Sequence, residues 1–252
     1  MITESGTKLI RSLTYKKYRY KHGLFIAEGK KTILDMLNAG FSGIKDIYMT
    51  NPVFEEHQFI LSKLEDKCKI VEVSDLTRIS NLESTPEIVM IGFIPSRAKP
   101  DKYLFETGIH LYLDQIQDPG NVGTILRTAE WFGIKSIGMS EGCADFVHPK
   151  VIQASMGSFS RMAIWNGALP FEYLEENKIY AADLKGNSIY ETPLPAAGLV
   201  IIGNEGNGIA DYIRKKVNNF IRIPSYSKEV ESLNAANATA IILSEWRRQL
   251  TS

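Results

Sequence analysis

Cysteine is scarce in this sequence: Cys68 and Cys143 are the only two in 252 residues. Two isolated thiols exclude a disulfide framework or a thiolate metal site and fit a reducing compartment, where both are expected to be inert. Long apolar runs are lacking as well. No stretch approaches the ~20 residues that cross a bilayer, and the opening MITESGTKLIRS has no apolar signal-peptide core, so the expected location is the cytoplasm. An excess of either charge is also absent, with Lys plus Arg and Asp plus Glu at 29 each, so net charge gives no support to a polyanionic partner. No G-x-G-x-x-G follows the first strand and no Walker lysine is present, which disfavours a nucleotide-dependent oxidoreductase or kinase. What is there is an ordinary globular composition, 44% hydrophobic and 23% charged, long enough for one large domain or two modest ones.

The distribution of charge says more than its sum. Lys8, Arg11, Lys16, Lys17, Arg19, Lys21, Lys30 and Lys31 fall in one stretch with Glu28 as its only acid, and Tyr15, Tyr18 and Tyr20 are interleaved. Such a stretch is either a solvated helix face or a surface on which cations meet phosphates and tyrosines stack on bases.

Hydrophobic periodicity predicts strands at 24–28, 44–49, 69–73 and 87–94, with helices at 30–39 and 53–65. That is a small α/β domain, ending at residue 97. A polar, proline-bounded segment, Pro95 to Asp101, reads as a linker. A second alternating series fills 106–252: strands at 109–114, 136–139, 178–182, 199–203 and 219–223, and helices at 121–132, 148–156, 170–177, 208–217 and 232–250. Strands separated by helices imply right-handed crossovers and a parallel sheet, with ligands beyond the carboxyl ends of its strands.

Three post-strand loops stand out. In LDQIQDPGNVGTILRTAEWFG, 113–133, a Pro-Gly turn leads to Asn121, which can cap a helix carrying Arg127. This is a turn, a cap and a surface arginine, or else a ligand-contacting loop. In LVIIGNEGNGI, 199–209, Gly203, Gly206 and Gly208 let backbone approach a ligand, while Glu205 repels phosphate and favours a neutral or cationic one. In IRIPSYSKEVESLNAANATAIILSEWRRQ, 221–249, Ser232 and Asn234 stand at a helix start, as simple caps or as ligand contacts, and Ala235, Ala236, Ala238 and Ala240 form a small-residue face suited to close packing, including against a second subunit.

Together the three loops resemble the three motifs of the SpoU (TrmH-type) RNA 2'-O-methyltransferases of the SPOUT class: N-x5-R after a strand, G-N-E-G after another, and I-P followed by S-L-N before the last helix. The segment KLIRSLTYKKYRYKHGLFIAEG, 8–29, is similar to the RNA substrate-binding domain of many members, a small α/β fold like that of certain ribosomal proteins. The resemblance implies an RNA substrate-binding domain at 1–97 and a SPOUT methyltransferase domain at 106–252, a parallel-sheet α/β fold with a deep trefoil knot. It implies S-adenosylmethionine as cofactor, held by Gly203, Asn204, Gly206, Ile223, Pro224, Ser232 and Leu233. It further implies a homodimer whose active sites are completed by the partner chain, no metal, and functional polar residues at Asn121, Arg127, Glu205, Ser232 and Asn234. RNA contacts fall to Lys8, Arg11, Lys16, Lys17, Arg19 and Lys21.

The implied reaction is methylation of a ribose 2'-hydroxyl. Ribosomal RNA is the expected substrate, because an N-terminal substrate-binding domain is more typical of members that act on the large-subunit RNA. Transfer RNA is the alternative substrate, and a non-catalytic RNA-binding protein on the same fold the alternative function. For Arg127 the family proposal is a base. A guanidinium stays protonated, so stabilising the oxyanion or anchoring a phosphate is physically easier. The sequence departs from the family at Gln153, where arginine is common, in the charged loop 225–231, and in the Ala-Ala-Asn that follows Ser232-Leu233-Asn234.

Overall fold

Apolar runs bounded by charged or glycine-containing turns form the strands of two sheets. The computed structural model describes residues 2–64, 66–134, 136–227, 229 and 231–251. The chain divides into two compact units, Met1–Ser96 with Asp145–Arg161, and Arg97–Ala144 with Met162–Ser252.

In the first unit, β1 (Leu24–Glu28), β2 (Ile44–Met49), β3 (Cys68–Ile70) and β4 (Ile88–Phe93) form a mixed sheet in the order β1-β4-β2-β3. β4 is antiparallel to both β1 and β2. Ile10 and Leu13, in and after the helix Glu4–Ser12, share a core with Leu24, Ile26, Leu76, Val89 and Ile91. Residues 145–161, expected from sequence in the second domain, pack in this first unit. The helix Pro149–Ser155 lies on β1, and Phe159 meets Phe25 edge-on with ring centroids 5.4 Å apart.

The second unit is built on a six-stranded sheet of order β10-β8-β9-β5-β6-β7, comprising β5 (Ile109–Leu113), β6 (Ser136–Met139), β7 (Ala163–Asn166), β8 (Ile179–Ser188), β9 (Gly198–Ile202) and β10 (Asn219–Arg222). Every pairing is parallel. β5 and β9 are buried along their whole length, as central parallel strands covered on both faces should be. The helix Pro119–Trp131 packs against the C-terminal helix Ala235–Leu250, where Ala235 and Ala236 are buried. Part of the small-residue face therefore serves packing within the unit.

Several expected elements differ. The helix expected at 53–65 is broken at His57 into Asn51–Glu56 and Gln58–Leu61. The run 69–73 pairs only as far as Ile70, after which Glu72 starts the helix Val73–Ile79. The helix expected at 170–177 is two short 3-10 turns, Phe171–Tyr173 and Glu176–Lys178, because the segment carries no continuous apolar stripe. The helix expected at 208–217 shrinks to Asp211–Arg214, since Gly208 at φ 66° holds the preceding chain out of helix.

A buried histidine makes the second unit acid-sensitive. His110 on β5 is 4% exposed; its Nε2 donates to the Thr107 carbonyl at 3.0 Å and its Nδ1 accepts from the Ser136 hydroxyl at 2.6 Å. Burial pushes its pKa below the ordinary value. The unfolded chain therefore takes up a proton near pH 6.5 that the native state refuses. Stability is fully present above that pH and is lost as pH falls toward the folded pKa, by at most ~1.4 kcal/mol per pH unit for one group. Urea unfolding at pH 7.0 and 5.5 should show this loss in the wild type and a smaller one in His110→Gln.

Candidate active site

The sheet register brings two of the three loops together. Leu113 of β5 pairs with Ile202 of β9, and the Asp114 amide donates to the Ile202 carbonyl at 2.8 Å, so Asp114 and Gly203 leave the sheet side by side. The first loop then enters its helix. The cap is Asp118, whose carboxylate accepts from the Asn121 amide at 2.8 Å, and not Asn121, which stands third in the helix. Asp-Pro at 118–119 was the available signal, because a capping acid before a proline at N1 marks a helix start.

Freed from capping, the Asn121 side chain joins the loops. Its Nδ2 donates to Glu205 at 2.5 Å, and its Oδ1 accepts from Asn234 Nδ2 at 2.8 Å. Asn234 in turn caps the C-terminal helix, its Oδ1 accepting from the amides of Ala236 (2.9 Å) and Asn237 (3.3 Å). Residues 84 and 113 positions from Asn121 in sequence thus meet in one hydrogen-bonded row. Ser232 precedes the cap and is exposed.

Beside this row lies a cavity of about 640 Å³, within the range of small-molecule and cofactor sites. Gly203, Asn204, Gly206, Ile223, Pro224, Ser232 and Leu233 all line it, as does Glu205. Its other wall comes from a feature absent from the periodicity. The pairing of β10 with β8 jumps from Phe220↔Ala181 to Ile221↔Asn187, so the intervening residues bulge out, and Ala182, Asp183, Leu184 and Lys185 line the cavity. Gly203 is required by close approach, since a Cβ there would lie 2.5 Å from the Gly208 carbonyl carbon. Asp183, ion-paired with Arg214, is a polar wall residue that sequence gave no reason to single out.

Arg127 does not join the row. It lies six residues beyond Asn121, about 120° away around the helix, and is exposed with no hydrogen bond or ion pair to any described residue. Asn121 and Asn234 therefore hold Glu205, not Arg127.

The model of the SpoU rRNA Methylase family matches residues 108–244, which contain the first two loop segments whole and the third as far as residue 244. The chain belongs to that family. A second model, the MRM3-like substrate binding domain, matches residues 5–90 of this SpoU protein. It is 27% identical over 241 residues to the 23S rRNA (guanosine(2553)-2'-O)-methyltransferase RlmP of Bacillus subtilis (strain 168), covering 92% of each chain. A structure from Porphyromonas gingivalis, described as of the TrmH family of RNA methyltransferases, aligns over 99% of each chain with 34% identity and a TM-score of 0.86. The AdoMet-bound rRNA methyltransferase from Sinorhizobium meliloti aligns over all of this chain and 98% of its own, with 27% identity and a TM-score of 0.83.

In the substrate-binding region of this SpoU chain, Lys8, Arg11, Lys16, Lys17 and Lys21 are exposed, Lys8 being paired with Glu4 at 2.8 Å. Tyr15 is 66% exposed and meets Tyr18 edge-on. Arg19 differs from its neighbours. It is 1% exposed, and its guanidinium is committed to Asp145 and to the carbonyls of Leu13 and Thr14. A buried, fully engaged guanidinium cannot meet a phosphate, so Arg19 leaves the set of candidate RNA contacts.

Proposed function

We propose that this SpoU-family protein is a cytoplasmic RNA ribose 2'-O-methyltransferase that uses S-adenosylmethionine and acts on ribosomal RNA. The observation that carries this reading is the Glu205–Asn121–Asn234 row, which ties three distant loops together at the edge of a cofactor-sized cavity.

The cavity fits the cofactor. Its wall combines apolar side chains (Ile202, Ile221, Ile223, Leu233 and Ile242) with the glycine loop at 203–208, and Glu205 supplies negative charge for a cationic ligand. In this reading Gly203, Asn204, Gly206, Ile223, Pro224, Ser232 and Leu233 hold the cofactor, largely through backbone groups. When bound, S-adenosylmethionine supplies a methyl group already activated by its sulfonium, so the protein's task is alignment and care of the attacking oxygen. Asn121 and Asn234 fix the Glu205 carboxylate, while Ser232 offers a hydroxyl to the ribose or cofactor. Arg127 directs a planar fork of donors at the 2'-oxygen or the adjacent phosphate as negative charge develops.

We further infer a homodimer in which Arg127 serves the partner's site. Arg127 and Trp131, four residues apart, lie on one exposed stripe of the Pro119–Trp131 helix, and the indole is 85% exposed. An indole so exposed, beside a guanidinium with no partner among the described residues, suits a covered surface. The knotted threading implied by the family resemblance belongs to the same proposal. RNA contacts are assigned to Lys8, Arg11, Lys16, Lys17 and Lys21, with the substrate-binding domain at 1–97 and the methyltransferase domain at 106–252, apart from residues 145–161, which pack in the first unit.

The test is incubation of the purified chain with labelled S-adenosylmethionine and ribosomal RNA from cells lacking the gene, followed by mass-spectrometric mapping. One ribose-methylated nucleotide, unmethylated in the deletion strain, is expected. Methyl transfer to base atoms, or none despite cofactor binding, would refute the reading.

A further inference from the structure

We infer that a second cavity, on the other half of the parallel sheet, receives the base of the target nucleotide with its N–H edge leading. This rests on the proposed RNA methyltransferase function and goes beyond it by assigning a base-reading site.

The cavity has a volume of about 290 Å³ and lies at the carboxyl ends of β5, β6 and β7, where Asp114, Gln115, Ser140, Glu141 and Tyr212 contribute to its lining. Ligands of parallel sheets bind at this edge. Three observations give it chemistry. First, Asp114 is completely buried: one carboxylate oxygen accepts from the Ala210 amide at 2.8 Å, while Oδ1 has no donor among the described protein atoms. A buried carboxylate oxygen without a donor costs free energy, and native structures seldom leave one unless a ligand or water completes it. Second, among the described residues the lining includes two acids, Asp114 and Glu141, and no basic side chain. That excludes phosphate and selects a neutral or cationic group that donates. Third, Gln115 sits at φ 58°, a left-handed conformation that strains a non-glycine residue and is found disproportionately at ligand sites.

The same residues connect the cavity to the methyl-transfer site. The Gln115 amide donates to Ser140 Oγ at 2.8 Å, and its carbonyl accepts from Asn204 Nδ2 at 2.9 Å, one residue before Glu205. A base seated here therefore adjoins the loop that walls the cofactor cavity. Nucleobases offer N–H donors on one edge, from an exocyclic amino group or a ring N–H, and a carboxylate oxygen is their natural acceptor.

Two variants of the full chain test this. Ala168, exposed at the rim, can carry a large side chain without disturbing the core. Ala168→Trp is expected to lower kcat/KM for RNA at least tenfold and to leave the S-adenosylmethionine Kd within twofold. On a synthetic RNA spanning the mapped nucleotide, wild type should lose at least tenfold when the base is replaced by an analogue lacking the N–H donors of that edge, 1-methylinosine for guanosine or N3-methyluridine for uridine. Asp114→Asn should flatten that discrimination. Wild-type kcat/KM in Ala168→Trp, or equal use of the analogue by wild type, would overturn the base site while leaving the methyltransferase reading intact. A wild type that neither binds the cofactor nor methylates RNA would defeat the underlying reading instead.

Discussion

Arg127→Ala is expected to lower kcat about 10²–10³-fold, the usual cost of removing one preorganised donor from a site of developing negative charge, and to leave cofactor affinity unchanged. The structure separates these two effects. Arg127 does not line the cofactor cavity and bonds to none of Glu205, Asn121 or Asn234, so its loss disturbs neither the cavity wall nor the row beside it. Arg127→Lys keeps the charge but not the fork, and should recover little if bidentate geometry matters. Calorimetric titration with S-adenosylmethionine alongside single-turnover methylation reads the two quantities independently. Normal turnover in Arg127→Ala would remove the residue from the mechanism. A mixing experiment addresses the partner-chain role. Co-expressed Arg127→Ala and Glu205→Gln chains, each inactive alone, should yield about a quarter of wild-type sites if Arg127 acts across the dimer, because half the dimers are mixed and each then holds one intact site. If Arg127 serves its own chain, no intact site forms.

How much of this was legible in the sequence depends on the range of the interaction. Strand runs buried along their whole length, such as IHLYL at 109–113 in the middle of its sheet and LFIAE at 24–28 on an edge covered by the helix Pro149–Ser155, stand out locally. β7 was missed because AIWN buries only Ile164 and Trp165 and Asn166 ends it in solvent, where the equally short SIGM at 136–139 is buried throughout. The glycine loop at 203–208 and Asn234 at its helix start were legible because both are local chemistry. The bond from Asn121 to Glu205 spans 84 residues and had no local trace. Asn121 itself was misread as a cap because Asn and Asp are near-equal caps and both stand near the same helix start. The bulge at 182–186 depends on how β10 slides against β8, a matter of register between two chain segments that periodicity within either cannot express. The orphaned oxygen of Asp114 is likewise a property of packing, since nothing in L-D-Q distinguishes a strand-end acid facing water from one enclosed by other loops.

The basic stretch near the N-terminus shows the same limit with a larger energetic consequence. By composition Arg19 belongs with Lys16, Lys17 and Lys21, yet Arg19→Ala should destabilise the protein by ~3–5 kcal/mol, the cost of stripping one partner from a buried ion pair. Its Nη2 lies 2.6 Å and its Nε 3.1 Å from Asp145 Oδ2, while Nη1 donates to the Leu13 and Thr14 carbonyls at 3.0 and 2.8 Å. The Asp145 side chain is 5% exposed and accepts also from the Tyr20 hydroxyl at 2.8 Å. Removing the guanidinium leaves a buried carboxylate with one donor and two carbonyls with none. Asp145→Ala leaves the opposite charge stranded and should cost a similar amount. The double variant should cost less than the sum of the two, because the second substitution removes a charge already uncompensated. Urea unfolding at pH 7 gives all three values. RNA binding supplies the opposite signature for the exposed lysines: Lys16→Ala with Lys17→Ala should leave unfolding within ~0.5 kcal/mol of wild type and reduce the salt dependence of RNA affinity by roughly one to two released counterions. If Arg19→Ala instead weakened RNA binding with stability unchanged, the buried pair would not be holding residues 145–161 to the sheet they cover.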